Sequence, residues 1–305
     1  MGEFRVNVAV TDWDWFSLLR RQPGIDEVNF WQPGPTGTTS EPGTPWLFKL
    51  HAPRNAIVGG GFFAYYTRMP LGVAWEAFGE KNGVGTLYEM QSRVAKYRKI
   101  DVRAPMEVGC VVLSQPFFFD ERDWLPAPED WKPNIVKGRY YGLDDRIGMR
   151  LWESAQARLA GIVPAVPQPP LVSAIGKPVL VRPRLGQGAF RLMVADAYQR
   201  RCAVTGEKTL PALEAAHIRP FSEVRQHEVK NGLLLRSDIH NLFDLGYVTV
   251  TPEYCFEVSR SIRAEFENGR DYYALHGKPI ALPSRAEHRP DAAALEWHTR
   301  RVFRG

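Results

Sequence analysis

The sequence predicts an α+β fold of two domains, for three reasons. The 305 residues exceed the roughly 100 to 200 residues of a typical domain. Short aromatic and β-branched stretches dominate the first half, whereas the second half mixes strand-like pieces with helical periodicity. A proline-rich segment lies between them. We therefore expect a β-rich domain at residues 1–160, a linker at residues 161–184 and a second domain at residues 185–305.

Runs of aromatic and apolar residues predict the strands of the first domain. The glycines at residues 59–61 supply a bulge or a close backbone approach between two of these strands. Apolar side chains at three- and four-residue spacing predict its helices. The expected elements are strands at residues 46–50, 56–58, 62–66 and 108–113, and helices at residues 71–78 and 85–97.

Prolines set the boundary between the two domains. So many prolines in one segment cannot continue a helix or form a central strand, and they favour an extended, semi-rigid spacer. They are Pro164, Pro167, Pro169, Pro170, Pro178 and Pro183.

The second domain shows both helical and strand patterns. Its first two strands are expected to form a hairpin across a turn at residues 205–208. Ser237 is expected to cap the second helix and Gly246 to end it. The expected elements are helices at residues 188–201 and 238–245, and strands at residues 203–204, 213–218 and 247–250.

The net charge of +5 lies entirely in the second half of the chain. Residues 1–160 hold 19 Lys and Arg against 19 Asp and Glu, whereas residues 161–305 hold 20 against 15. Basic side chains near phosphates release condensed counterions, so this excess favours a polyanionic partner. A solvated basic surface is the alternative explanation.

Composition excludes several classes of protein. Apolar residues make up 44% and charged residues 24%, unlike collagen, a coiled coil or a disordered chain. No stretch reaches about 18 apolar residues and no signal-peptide core follows Met1, so we expect a cytoplasmic protein with no membrane partner. Cys110, Cys202 and Cys255 are far apart and form no C-x-x-C pair, which indicates reduced thiols.

A constellation of polar residues in the second half indicates chemistry. His217 ends an expected strand, Asn231 lies in the connecting loop and His240 lies on the following helix. These residues and their neighbours resemble the HNH endonucleases, in particular their predicted bacterial restriction type, over about residues 185–300. The runs that carry the resemblance are GQGAFR at residues 186–191, CAVTG at 202–206, AHI at 216–218, NGL at 231–233 and HNLFD at 240–244.

The HNH resemblance implies a ββα-metal fold that hydrolyses phosphodiester bonds with a divalent ion. His217, with an ordinary pKa of about 6.5, is largely neutral at cytoplasmic pH and is the expected general base. His240 and Asp244 stand at i and i+4 on one helix face and are the expected metal ligands. Asn231 either binds the metal through its amide oxygen or pins the loop by backbone hydrogen bonds.

One departure from the HNH pattern concerns the metal. The residue before the base is often an Asp or His ligand in these enzymes, and here it is Ala216. Glu214, on the same strand face, or a water would have to replace that ligand. We expect Mg²⁺ or Mn²⁺ in an oxygen-rich site, with Ni²⁺ or Zn²⁺ as the alternatives for a histidine-rich one.

Other residues near the motif have simpler expected roles. His227 is expected to be a solvated loop residue, and His298 to pack within a helix near the end of the chain. Loops beside the metal must face the DNA backbone, so their basic side chains are candidate phosphate contacts. These candidates are Arg219, Arg225, Lys230 and Arg236.

The first domain resembles the PUA-like superfamily, which includes the EVE and SRA readers of modified bases. The resemblance covers residues 25–115 and rests on NFWQPG at residues 29–34, PWLFKL at 45–50 and IVGGGFF at 57–63. It implies a β-barrel-type domain in which aromatic rings hold a flipped base. Core packing is the alternative for each candidate ring. The candidates are Trp31, Trp46, Phe62, Phe63 and Tyr65.

Together these expectations describe a metal-dependent DNA endonuclease that restricts foreign DNA carrying modified bases. A double-strand cut needs two sites, which favours a homodimer on double-stranded DNA. One alternative is a sequence-specific HNH nuclease of unmodified DNA. The others are a DNA-binding module with a degenerate centre and an effector gated by a small nucleotide.

Overall fold

The computed structural model describes residues 5–34, 37–162 and 185–305. The chain divides into two units, unit 1 (Met1–Gly186) and unit 2 (Gln187–Gly305). Both contain helices and strands, which confirms the predicted α+β class. The linker expected at residues 161–184 lies outside the described residues from residue 163 onward.

Unit 1 is organised around one mixed sheet. Its strands are β1 (Arg5–Thr11), β2 (Glu27–Gln32), β3 (Pro45–Leu50), β4 (Ala56–Pro70), β5 (Glu107–Phe118), β6 (Leu125–Pro126) and β7 (Gly138–Gly142). They follow the order β2-β5-β4-β3-β1-β7, and β6 pairs with β4. β1 runs parallel to β3, and the other pairs are antiparallel. Among the described strands, β2 and β7 stand at the two ends of this order, each with one partner, and do not pair with each other.

Two of the four α-helices described in unit 1 lie where the apolar periodicity predicts them, and the first and fourth are not predicted. The patterns at residues 71–78 and 85–97 correspond to the second and third helices of the chain. The side chain of Thr86 caps the third helix by accepting a hydrogen bond from the backbone N–H of Glu89 at 3.1 Å. The helices are α1 (Trp13–Leu19), α2 (Leu71–Phe78), α3 (Leu87–Arg98) and α4 (Arg146–Ile162).

The glycines at residues 59–61 bend β4 instead of ending it. β4 continues for 15 residues, and its register against β5 shifts between Gly60 and Phe62. A Cβ atom on Gly59 would lie 2.2 Å from the carbonyl oxygen of Phe117. Neighbouring backbone therefore leaves no room for a side chain here, which confirms the close approach expected from the sequence.

Most of the aromatic residues expected to form a base pocket belong to the core, so this part of the prediction is wrong. Trp46, Phe62 and Phe63 are only 2%, 6% and 4% exposed. Phe62 packs in a cluster that includes Trp152 of α4, whereas Trp46 and Phe63 pack on the other sheet face with residues of α1. Because helices cover both faces of the sheet, the rings of its central strands on either face are buried.

Unit 2 contains two short antiparallel strand pairs among its helices. Its strands are β8 (Leu213–His217), β9 (Gly232–Arg236), β10 (Val248–Val250) and β11 (Phe256–Val258). Its helices are α5 (Gln187–Ala197), α6 (Phe221–Val224), α7 (Ser237–Asp244), α8 (Ser261–Phe266), α9 (Arg270–Tyr273) and α10 (Ala292–Arg301). β8 pairs with β9 and β10 with β11. Among the described residues, no helix is long and apolar enough to cross a lipid bilayer.

The strand pairing of unit 2 corrects the predicted hairpin. The partner of β8 is β9, and residues 203–204 form no strand. That segment instead packs at the end of β9. The Sγ atom of Cys202 accepts the backbone N–H of Arg236 at 3.3 Å, and Ala203 N–H donates to the carbonyl of Leu234 at 2.7 Å.

Two helix boundaries in unit 2 also differ from prediction. α5 stops at Ala197 because Gln199 and Arg200 adopt left-handed backbone angles, with φ of 54° and 58°. Ser237 is the first residue of α7, and the N-cap position falls to Arg236, whose side chain makes no capping hydrogen bond. The guanidinium of Arg236 pairs with both carboxylate oxygens of Asp238, at 2.6 and 2.7 Å.

His298 ties α10 to the rest of unit 2. Its side chain is 2% exposed. Nε2 donates to the carbonyl of Phe243 at 3.0 Å, so Nδ1 accepts the Thr249 hydroxyl at 2.8 Å. Burial lowers the pKa of His298 to about 4 from an ordinary value of 6.5, and the bond to Phe243 partly offsets this effect.

We expect unit 2 to lose stability as the pH falls from 6.5 to 4. The folded state favours the neutral imidazole of His298, whereas the unfolded chain takes up the proton from about pH 6.5 downward. This proton uptake costs about 3 kcal/mol once the pH reaches 4. Hydrogen exchange of the β10 amides against pH measures it. His298→Gln should make the stability of unit 2 less dependent on pH, and the exposed control His276→Gln should not. If the wild-type protein and both variants lose stability equally with falling pH, His298 is not the cause.

Candidate active site

One ββα element brings together the polar residues of the expected active site. β8 carries Glu214 and His217, and α7 carries His240 and Asp244. Asn231 ends the 3₁₀ turn that leads into β9. The antiparallel pairing of β8 with β9, in which His217 lies opposite Gly232, joins these segments.

Glu214, His240 and Asp244 form an acid–histidine cluster. Nδ1 of His240 lies 2.6 Å from Oε2 of Glu214, and Nε2 lies 3.3 Å from Oδ2 of Asp244. The second contact exists because residues at i and i+4 share a helix face. Desolvation first, and then the charge of Glu214, raise the pKa of the Asp244 carboxyl, while the charge of His240 lowers it. Glu214 therefore contacts His240, one of the two predicted metal ligands, whereas Ala216 is fully buried.

The HNH resemblance implies a divalent ion, and the donor atoms of the acid–histidine cluster have the right chemistry to bind one. Carboxylate oxygens and an imidazole nitrogen bind Mn²⁺, Zn²⁺ and Ni²⁺, and carboxylates also bind Mg²⁺. Among the described residues, however, no three His, Cys, Asp or Glu side chains are arranged around a common ion position. Both ring nitrogens of His240 face carboxylates, so an ion would have to replace at least one of these contacts.

His217 is partly buried between aromatic rings. Its imidazole stacks on the ring of Phe190 from α5, with centroids 4.0 Å apart and planes 12° apart. Burial first, and then the charges of His227 and His240, lower the pKa of His217 to about 4. The side chain is therefore neutral at pH 7, as a general base requires.

His227 contacts His217 directly, so the expectation of a solvated loop residue is wrong. Nδ1 of His227 lies 3.0 Å from Nε2 of His217. The His227 ring also stacks on Phe221 of α6, with centroids 4.2 Å apart and planes 11° apart. The polar neighbours Gln226 and Glu228 conceal this from the sequence, and the one available signal is a histidine ten residues after the expected base.

Asn231 holds the loop that follows β8. Its side-chain oxygen accepts the backbone N–H of Arg219 at 3.0 Å, and its side-chain N–H donates to the Arg219 carbonyl at 2.9 Å. The Asn231 carbonyl also accepts the backbone N–H of Ile218 at 2.9 Å. The amide of Asn231 is thus engaged by backbone, which corresponds to the loop-pinning alternative of the sequence analysis.

The four basic candidates for phosphate contacts differ in how they are held. Arg219 lies 3.3 Å from Glu223, and Lys230 lies 3.2 Å from Glu228. Arg236 makes the bidentate pair with Asp238 described above, which raises its pKa. Arg225 is exposed, and no ion pair involves it within the part of the chain that the structure describes.

Unit 1 holds an aromatic cavity of about 370 Å³. Of the five predicted pocket rings, only Trp31 lines it; Tyr65 is half-buried elsewhere on β4. The Asp12 carboxylate accepts the Tyr97 hydroxyl at 3.1 Å and lies 3.3 Å from Nε2 of His51. The lining residues are Val10, Thr11, Asp12, Trp15, Phe30, Trp31, Gln32, Pro33, Gly34, His51, Arg93, Tyr97, Val136 and Lys137.

The family comparison concerns the ββα element of unit 2. Residues 202–251 match the family model of the HNH endonucleases. The matched segment contains β8, β9, α7 and β10, and with them the acid–histidine cluster, His217 and Asn231. The match supports a nuclease that acts on DNA, as the sequence predicts. No curated protein matches the chain.

Three solved structures resemble part of the chain. They are crystal structures of ASCH from Zymomonas mobilis and of two mutants of that protein. The sequence identities are 10% for ASCH and 9% and 7% for the two mutants, over 48% to 50% of this chain and 94% to 98% of the ASCH chain. The TM-scores are 0.31 to 0.33, too low for this likeness to say anything of what unit 1 binds.

We expect Asn231→Asp to destabilise unit 2. The aspartate keeps the shape of the side chain but loses the N–H that donates to the Arg219 carbonyl. A carboxylate oxygen then faces that carbonyl oxygen, and the two acceptors repel each other. A buried acceptor left without its donor costs about 1 to 3 kcal/mol. Denaturant unfolding measures the loss, with the exposed Asn241→Asp of α7 as the matched control. If the two variants are equally stable, the clamp on Arg219 does not contribute.

Proposed function

We propose that this chain is a metal-dependent DNA endonuclease in which unit 1 selects DNA that carries a modified base. The observation that carries the proposal is the ββα element of unit 2. It places a neutral histidine on the same small scaffold as an imidazole flanked by two carboxylates. Hydrolysis of a phosphodiester needs a base that activates water and a positive charge that stabilises the phosphate. The neutral histidine can be the base, and a cation held by the carboxylates would be the positive charge.

His217 acts as the general base in this proposal. Its imidazole is neutral at pH 7, because burial against Phe190 disfavours the charged form. It can therefore take a proton from the water that attacks phosphorus. Asn231 acts as a positioning residue, because its amide fixes the backbone that directly follows His217.

The acid–histidine cluster holds the metal in this proposal. His240, Asp244 and Glu214 are the ligands, and Glu214 replaces the donor that is missing at Ala216. When bound, a divalent ion supplies positive charge that stabilises the scissile phosphate and the departing oxygen. The mixed oxygen and nitrogen set favours Mn²⁺ or Mg²⁺, with Ni²⁺ or Zn²⁺ as alternatives.

DNA contacts in this proposal come from the basic side chains around the ββα element. Arg225 and Lys230 are exposed. Arg219 lies over the Trp297 ring and makes one ion pair at the surface, so all three side chains can reach a phosphate without breaking a buried ion pair. Arg236 is the weakest candidate because its guanidinium already makes a bidentate pair with the Asp238 carboxylate. A double-strand break needs two active sites, and two copies of the chain would supply them.

Base selection in this proposal belongs to the cavity of unit 1. A volume of about 370 Å³ is within the range of sites for small ligands, about 300 to 1,000 Å³. Trp15, Phe30 and Trp31 offer ring surfaces, and Asp12 offers a carboxylate that can accept an exocyclic amine. These are the groups that hold a base outside the duplex.

We expect His217→Ala to abolish DNA cleavage. Loss of a general base lowers the rate by about 100-fold or more. Cleavage of matched plasmids with Mg²⁺, Mn²⁺, Ni²⁺ or EDTA measures the effect, and His276→Ala is the control. If the wild-type protein binds DNA tightly but cuts it with none of these ions, the chain is a binding module and the nuclease proposal fails.

We expect cleavage to tolerate mild acid. The base must be unprotonated, and the pKa of His217 is about 4, so the rate set by this group stays flat from neutral pH to about pH 5 and falls below it. Initial rates from pH 4 to 8 at saturating metal measure this. A half-maximal rate near pH 6.5 would show a histidine with its ordinary pKa instead.

We expect Trp31→Ala to remove the preference for modified DNA while cleavage itself persists. Stacking of a base on an aromatic ring is worth about 1 to 3 kcal/mol, so the preference should fall about tenfold. The measurement compares plasmids that are unmodified, methylated, hydroxymethylated, glucosylated or phosphorothioated. The control is Tyr88→Ala, which removes an exposed ring of α3. Equal cutting of all plasmids by the wild-type protein would remove the sensor from the proposal and favour a nuclease of unmodified DNA.

A further inference from the structure

His227 and His217 form a histidine pair that the proposed mechanism does not yet use. Nδ1 of His227 faces Nε2 of His217 at 3.0 Å, a hydrogen-bond distance between two ring nitrogens. One of these two nitrogens must carry the proton that the other accepts. The pair therefore connects the expected base to a second imidazole.

Aromatic rings hold the histidine pair from both sides. Phe190 of α5 stacks on His217, and Phe221 of α6 stacks on His227, with interplanar angles of 12° and 11°. The two imidazole centroids are 5.1 Å apart. Phe221 is 45% exposed, and one face of its ring stacks on His227, so α6 positions this loop histidine. Two ring stacks and one hydrogen bond therefore fix the orientation of both imidazoles, which a solvated loop histidine would not have.

A partly buried base needs a place to send its proton. The charged form of His217 is disfavoured by desolvation and by the charges of His227 and His240. β9 presents only Gly232 opposite His217, and α5 presents the ring of Phe190, so neither offers a carboxylate that would stabilise an imidazolium. Transfer of the proton along the hydrogen bond to His227 removes the charge from His217.

We propose that His227 accepts the proton that His217 takes from the attacking water, an inference that rests on the proposed nuclease reaction. An O–H bond of the water breaks as an N–H bond forms at Nδ1 of His217. The Nε2–H bond of His217 breaks as an N–H bond forms at Nδ1 of His227, which then releases its Nε2 proton to solvent. Exchange of ring protons with solvent after the reaction returns both rings to their Nε2–H tautomers. The water oxygen keeps the electron pair that bonds to phosphorus, and the leaving oxygen departs with the P–O pair and takes a proton from solvent.

The relay assigns one tautomer to each ring before reaction. His217 carries its proton on Nε2 and donates to His227, which leaves Nδ1 of His217 free to accept. His227 carries its proton on Nε2 and accepts at Nδ1. The opposite assignment, with the proton on Nδ1 of His227, would block the relay.

Two substitutions at position 227 separate proton transfer from positioning. His227→Asn keeps an amide at the place of Nδ1, so it preserves the hydrogen bond to His217 but cannot pass the proton on. His227→Gly opens space between Phe190 and Phe221 that free imidazole can fill. We expect both variants to lower kcat about tenfold or more with KM for DNA within about twofold of wild type. Added imidazoles should rescue only His227→Gly, with rates that rise with the pKa of the imidazole.

The controls separate this inference from the proposed function. Melting temperatures should be near wild type, and His276→Asn should keep full activity. If wild type cuts DNA and His227→Asn cuts equally well, the relay is refuted and the nuclease stands. If wild type cuts nothing, the nuclease proposal fails, and ¹⁵N NMR of the histidine rings then tests the pair by itself. An Nε2–H tautomer on both rings supports the relay, and a proton on Nδ1 of His227 overturns it.

Discussion

The pairing of β8 with β9 is the constraint on which the site in unit 2 depends. It sets His217 opposite Gly232, and a Cβ atom on Gly232 would lie 2.6 Å from Val194 and 2.9 Å from Phe190. Glycine at this position therefore lets α5 come close enough for Phe190 to stack on His217. Asn231, one residue earlier, clamps the backbone after β8. A shift of the register by one residue would separate all of these groups.

The sequence predicts the placement of the α7 side chains better than the strand pairing of unit 2. Helical spacing is enough to place His240 and Asp244 on one face of α7, because that relation is local. The partner of β8 is not local, since the intervening segment includes α6 and a loop, and the nearest apolar residues suggest a hairpin that does not form. The contact between His227 and His217 is equally hidden, because it depends on the path of that loop and on the stack with Phe221.

In unit 1 the sequence predicts the central strands and two of the helices but misplaces the cavity. Aromatic density indicates rings but does not say which face of a strand is covered. Trp46, Phe62 and Phe63 lie on central strands between helices on both faces and are buried, whereas Trp31 lies near the end of an edge strand and reaches the cavity. Asp12, His51 and Tyr97 escape sequence analysis because they come from three separate segments that meet only in the fold.

The Phe190 ring that stacks on His217 determines how short a fragment of unit 2 can be and still keep the site intact. Phe190 lies outside residues 202–251, the segment that matches the HNH family model. A gene fragment trimmed to that segment would encode the strands, the clamp and the acid–histidine cluster but would leave one face of the His217 ring open to water. A fragment that keeps this stack therefore begins no later than Gln187, the first residue of α5.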